Sequence, residues 1–254
     1  MSERELVRVE RDGDVALVVL QRPEARNAMN RAMAAATCDA IAACRDAGCI
    51  VLTGEDPAFC AGLDLRDLGV GTLAELPGFI GAAASSPVPI IAAVNGPAVT
   101  GGFELALACD FIVASERAAF ADTHLRVGVY PGPVLVDLPR RVGEAWAREM
   151  SLTGDFVDAA TALRIGIANH VVAHDALVPF ALGKAHAIAE QPRAMVATMR
   201  RDWEATVGTP RAEARRTHAA HAAEASTMPT GALIASHREE VIARARASRG
   251  GSGG

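Results

Sequence analysis

The run Pro89-Ile90-Ile91-Ala92-Ala93-Val94 constrains the fold more than any other stretch of the chain. It is short, wholly apolar and closed by the turn residues Asn95-Gly96-Pro97, the pattern of a buried strand. Cys49 to Leu52, ending at Thr53-Gly54, reads the same way. Elsewhere the period changes. Asn30 can cap a helix running to about Ala47 with Gly48 as its stop, and an apolar helix is expected from about Gly101 to Cys109. Phe111 to Ala114 and Ala119 to Ala121 resume as strands. Leu6 to Val9 and Val15 to Leu20 form an opening hairpin around Arg11-Asp12-Gly13-Asp14. Strands alternating with helices predict an α/β layer architecture. From about Glu144 the pattern is mostly helical, punctuated by Gly143, Gly154, Gly166 and Pro192 and interrupted by a strand-like His170 to Val172.

Composition removes several classes of protein. The chain has 254 residues, half of them hydrophobic and 22% charged, which is enough for a sizeable core and excludes a disordered linker. A net charge of −5 argues against a general nucleic-acid binder. The most apolar stretch, Val88 to Phe111, is broken by Pro89, Gly96, Glu104 and Asp110, so no membrane span is expected. The charged, alternating start MSERELVRVE does not read as a signal peptide. Cys38, Cys44, Cys49, Cys60 and Cys109 are odd in number and contain no C-x-x-C pair, so reduced thiols in a cytoplasmic protein are expected. A metal site is not expected either. His170 and His174 are separated by a turn, and His218 and His221 fall in the polar stretch Arg211 to Ala225, which reads as a helix that is solvated or packed on another subunit.

Two segments carry more than a core needs. In Ala58-Phe59-Cys60-Ala61-Gly62-Leu63-Asp64-Leu65 the small residues allow close backbone approach to a ligand, although a plain strand-to-helix turn would look similar. In Asn95 to Glu104 a strand runs through a glycine-containing loop into a helix that starts near Gly101-Gly102. Unpaired N–H groups at such a start stabilise negative charge. Neither G-x-G-x-x-G nor G-K-[ST] is present, which weakens dinucleotide and P-loop readings and leaves an anion such as an enolate. Glu104 follows in the first turn among Leu105, Ala106, Leu107 and Ala108. Desolvation there raises a carboxyl pKa toward values useful for acid–base work; the plainer alternative is a surface glutamate serving the helix dipole.

The run PIIAAVNGPAVTGGFELALACD, with AFCAGLDL and RPEARNAMN upstream, resembles the crotonase family of enoyl-CoA hydratases and isomerases. The likeness continues through DTHLRVGVYPG and LTGDFVDAATALRIGIANHVV, covering roughly residues 5 to 200. The resemblance implies a crotonase-like spiral of ββα units. A core over residues 1–200 would be followed by a C-terminal helical oligomerisation region over 201–248, and the Gly/Ser-rich composition of 249–254 reads as a disordered tail. The resemblance also implies a homotrimer or homohexamer, an acyl-CoA thioester as substrate and no cofactor beyond the coenzyme A of the substrate, while charge and the broken apolar stretch already argue against nucleic acid or membrane as partner. Residue by residue, it places oxyanion-hole amides at Ala61 and Gly101, and substrate contacts at Ala25, Arg26, Ala28, Ala61, Gly62, Leu63, Asp64 and Gly101.

Hydratases of this family carry two glutamates. The first matches Glu104; the second, twenty residues on, is His124 here, within Asp122-Thr123-His124. Histidine can supply either proton-transfer function near neutral pH, and Asp122 could orient it. Thr100 and Pro133 also stand where the family usually has glycine, and both could reshape the acyl pocket. The expected activity is an enoyl-CoA hydratase with Glu104 and His124 catalytic. A double-bond isomerase using Glu104 alone, another CoA-thioester enolate enzyme, and an acyl-CoA-binding protein without turnover are the alternatives.

Overall fold

A computed structural model describes residues 5–68, 78–191, 193–206 and Glu213. The polar stretch 211–225 (Glu213 aside), with His218 and His221, the tail 249–254, and most of the 201–248 region lie outside the described residues. Strands β1 (Val7–Asp12) and β2 (Val15–Leu20) form the opening hairpin. The first strand runs three residues further than its apolar pattern, because Asp12 pairs with Val15 and Gly13, at φ +58°, takes the tight turn. Helix α1 (Arg31–Ala43) starts where expected, the Asn30 side chain accepting from Met33 N at 2.8 Å. It ends four residues short of Ala47. Gly48 does not stop it; a Cβ at Gly48 would sit 2.7 Å from Ala189, so glycine there permits close packing instead.

The chain continues through β3 (Cys49–Gly54), α2 (Leu65–Leu68), α3 (Phe79–Ala84), β4 (Ile90–Val94), β5 (Pro97–Val99), α4 (Gly101–Leu107), β6 (Phe111–Ser115) and β7 (Ala119–Ala121). It goes on through α5 (Val134–Val142), α6 (Glu144–Thr153), β8 (Val157–Asp158), α7 (Ala159–Ile165), β9 (His170–Val172), α8 (Leu177–Ala189) and α9 (Arg193–Thr206). Helix α9 runs unbroken through residues 200 and 201, so the expected boundary there falls inside an element.

The main sheet has the order β1-β2-β3-β4-β6-β9 and is parallel from β2 onward. A smaller sheet, β5-β7-β8, lies outside it. Successive turns of chain therefore place one strand in each sheet and then a helix: β4, β5, α4, followed by β6, β7, α5. Period-two alternation divides the main sheet between two cores. Val15, Cys49, Val51, Ile91, Ala93 and Val113 face α8, which presents Leu177, Ala181 and Ala185 at four-residue spacing. Ile50, Leu52, Ile90, Ala92, Val94 and Ile112 face the other way, toward Met33, Ile41, Phe103 and Leu107. A sheet covered on both faces accounts for strands that are apolar throughout. Among the described residues no helix is long and apolar enough to cross a membrane.

Candidate active site

Three loops are laced together at the C-terminal ends of β2, β3 and β4. Asn27, fully buried at φ +56°, accepts from Arg22 N at 2.8 Å and donates through Nδ2 to Glu55 O at 2.8 Å and Ala58 O at 2.7 Å. Arg22 reaches Ala28 O at 3.0 Å and Asp64 Oδ2 at 2.7 Å. Met29 N bonds to Gly62 O, and Asp64 N bonds back to Met29 O. The second loop is tied to the third through Cys60 N to Pro97 O and Val99 N to Cys60 O. Two glycines permit this approach. A Cβ on Gly62 would lie 2.0 Å from Thr100 Oγ1, and one on Gly102 would lie 2.1 Å from Cys60 O.

These bonds decide which amides are available. Ala61 is not available as an oxyanion donor, contrary to the expectation from its motif, because its N–H is spent on Arg26 O at 3.0 Å. Two residues on, Leu63 sits in the bridge to Met29, whose bonds run through Gly62 O and Asp64 N. The Leu63 amide therefore points to the other side and has no acceptor among the described residues. Gly101 opens α4, so its N–H has no intrahelical acceptor. The two residues are neighbours: a Cβ on Gly101 would be 3.7 Å from Leu63 Cγ and Cδ2.

The remaining positions divide by what they touch. Asp64 is committed through its side chain to Arg22 and to Arg66 N; burial raises its pKa, but these donors outweigh it and hold the carboxyl below its ordinary value. Ala25, Arg26 and Ala28 line the first loop, with Arg26 at φ +54° and Ala28 buried. Cys60 lies between the second and third loops, and burial pushes its thiol up to about 12, which keeps it from acting as a nucleophile.

Glu104 lies in the first turn of α4, 4% exposed. Its Oε1 accepts from Val134 N, at the start of α5, at 3.1 Å. Gly132 packs on the same carboxylate, where a Cβ would come within 2.5 Å of Oε1. His124 is also 4% exposed, and its Nε2 lies 3.8 Å from Glu104 Oε2. On the opposite ring edge Nδ1 is 2.6 Å from Asp122 Oδ1, so the i, i+2 spacing does bring Asp122 onto the ring. Burial raises the Glu104 pKa, with Asp122 and Asp137 adding to the rise and His124 and the Val134 amide opposing it. For His124 burial lowers the pKa, but Glu104 and Asp122 outweigh it and leave the ring more basic than usual. A buried carboxylate facing an imidazolium can take a proton from one reacting atom and give one to another.

The enoyl-CoA hydratase/isomerase family profile matches residues 10–229. A probable enoyl-CoA hydratase of Rhizobium meliloti is 43% identical over 204 residues, covering 76% of this chain and 79% of that protein. The chain belongs to the enoyl-CoA hydratase/isomerase family. Solved structures agree: an enoyl-CoA hydratase from Mycobacterium tuberculosis H37Rv superposes with a TM-score of 0.78 at 40% identity, covering 88% of this chain and 100% of that one. An enoyl-CoA hydratase/isomerase from Pseudoalteromonas atlantica T6c gives 0.83 at 28% identity, covering 92% and 97%.

In this member of the enoyl-CoA hydratase/isomerase family, Thr100 and Pro133 set the backbone at the starts of α4 and α5. Thr100 adopts φ +47°, ψ −117°, a conformation natural to glycine and strained for a β-branched residue. Relief of strain on the order of 1–3 kcal/mol exceeds the roughly 0.5–1 kcal/mol entropic cost of glycine. Thr100→Gly is therefore expected to raise Tm by about 2–4 °C in a thermal melt at fixed protein concentration. Pro133 holds φ −58° immediately before Val134, presetting the first turn of α5 that presents its amide to Glu104.

Proposed function

We propose that the protein is an enoyl-CoA hydratase, adding water across the C2=C3 bond of a trans-2-enoyl-CoA thioester. The observation that carries this reading is the buried 3.8 Å pairing of Glu104, in the first turn of α4, with His124, on a helix whose first amide has no acceptor among the described residues. In this mechanism the amides of Leu63 and Gly101 hold the thioester oxygen, so that charge developing on the enolate meets two donors. Glu104 takes a proton from water as its oxygen adds to C3. The His124 imidazolium gives its Nε2 proton to C2. The proton on Glu104 then returns to His124, and the pair is restored with no other cofactor. The acyl-CoA would run along Ala25, Arg26, Ala28 and Gly62 to Asp64. The names of the relatives support the same chemistry.

The test is incubation of the purified protein with crotonyl-CoA and, separately, with a 3-enoyl-CoA, identifying the products. Formation of 3-hydroxyacyl-CoA from the first is expected. Interconversion of the two enoyl esters without hydration would assign an isomerase, and tight binding without turnover a binding protein; either replaces the hydratase reading.

The pH dependence follows from the active pair, a carboxylate beside an imidazolium. Activity should rise with pH as Glu104 ionises, above the ordinary glutamate range because burial raises it. It should fall again as His124 deprotonates, above the ordinary histidine range because two carboxylates outweigh its burial. The two limbs belong to the coupled pair. A bell-shaped kcat profile is expected, and His124→Gln should abolish the alkaline limb; an alkaline limb unchanged in that variant removes His124 from the mechanism.

A homotrimer or homohexamer in the cytoplasm completes the proposal. Met195, Met199 and Trp203 lie four residues apart on α9 and are exposed, the kind of apolar strip that a neighbouring surface covers. Sedimentation at several concentrations measures the assembly.

A further inference from the structure

Asp122 follows the last residue of β7 and is 1% exposed. Oδ1 lies 2.6 Å from His124 Nδ1, while Oδ2 is buried without a hydrogen-bond partner among the described residues. The only ion pair it makes among those residues is with His124. Among the described residues the charged groups acting on the ring are acidic: Asp122 on one edge and Glu104 of α4 on the other, while Asp137 of α5, also buried, acts on Glu104. A buried carboxylate with no cation but an imidazole beside it makes that ring its counter-charge.

We propose that Asp122 is a positioning residue that fixes the proton of His124 on Nδ1, leaving Nε2 directed at Glu104 and the substrate, and thereby makes His124 the proton donor to C2. This deepens the hydratase reading and rests on it for its kinetic consequences. Which ring nitrogen is available is set by the bond the other one makes. With Nδ1–H held by Asp122, neutral His124 exposes the Nε2 lone pair, the state that accepts the proton returned by Glu104. The imidazolium exposes Nε2–H, the state that donates. No proton need move to Asp122.

A structural role for Asp122 is separable. Its Oδ1 also receives the His124 backbone N–H at 3.4 Å, a local turn contact at the start of the 3₁₀ segment His124–Val127. Asn keeps that acceptor but loses the charge, and its amide N–H can donate to Nδ1, which reverses the tautomer. Asp122→Asn is expected to lower kcat by about 10²–10⁴ with KM changed only a few-fold. The alkaline limb of its pH profile should move to lower pH. In the His124→Gln background the same change should alter kcat by less than about three-fold, since Asp122 acts through the ring.

Imidazole ¹⁵N NMR of the parent and of Asp122→Asn provides a readout independent of turnover. The parent His124 should be the Nδ1–H tautomer when neutral, and the variant should shift to Nε2–H and titrate at lower pH. An unchanged tautomer and titration, or an equal kcat loss in the His124→Gln background, overturns the positioning role. A parent that binds acyl-CoA without hydrating it overturns the hydratase reading instead, and the NMR titration still decides what Asp122 does.

Discussion

Glu104→Gln is expected to lower kcat for enoyl-CoA hydration by about 10³-fold or more, with KM within a few-fold of the parent. The substitution isolates proton transfer because little else changes. Glutamine has the same volume, so the contact with Gly132 is kept and no cavity opens. Its Oε1 can still accept from Val134 N, so the junction between α4 and α5 stays closed. What disappears is the group that takes a proton from water in the proposed mechanism, together with the carboxylate facing His124 at 3.8 Å. Steady-state kinetics beside a thermal melt measure both consequences. Parental turnover would leave Glu104 as no more than an anchor for the start of α5.

The second large effect is steric. Gly102→Ala would place a Cβ 2.1 Å from Cys60 O and 2.7 Å from its carbonyl carbon. That carbonyl cannot turn away freely, because it accepts from Val99 N at 3.0 Å. The loops carrying Leu63 and Gly101 must therefore separate. Overpacking of this kind costs about 1–3 kcal/mol of stability, and loss of convergence on a thioester oxygen costs about 10²–10³ in rate. A lowered Tm together with a kcat loss of that size is the expected outcome. Gly81→Ala is the control: a Cβ there meets nothing within 4 Å, so activity should be unchanged. A Gly102→Ala enzyme with parental Tm and kcat would mean that the loops are not held together by this contact.

The layers of the fold were legible because they rest on local rules. The apolar runs at Cys49 and Ile90 are strands since both faces of the main sheet are covered, and Asn30 caps α1 through its own side chain. What escaped was decided at a distance. Helix α5 contains Pro139, which reads as a breaker in isolation and is tolerated within a helix that packs Val134 and Leu138 into the core. Gly48 reads as a helix stop until Ala189 arrives against it from the far end of the chain.

The site shows the same division. Glu104 stands out from its place behind a double glycine at a helix start, while His124 is singled out only by the family resemblance; the fold buries both and sets them 3.8 Å apart. The choice between Ala61 and Leu63 as amide donor was not legible. It depends on a bond to Arg26, some thirty-five residues earlier, that consumes one N–H and spares the other. The Asp122 contact was visible only as a spacing, because nothing in Asp-x-His fixes which way either side chain turns.

Helix α8 has a consequence for biosynthesis. It seals the face of the main sheet formed by Val15, Val51, Ile91 and Val113, yet it begins at Leu177. A nascent polypeptide emerging from the ribosome thus carries four finished strands whose outer face stays wet until more than sixty further residues have followed Val113. Translation pauses within that interval would prolong exposure of a sticky β-surface and favour co-translational aggregation.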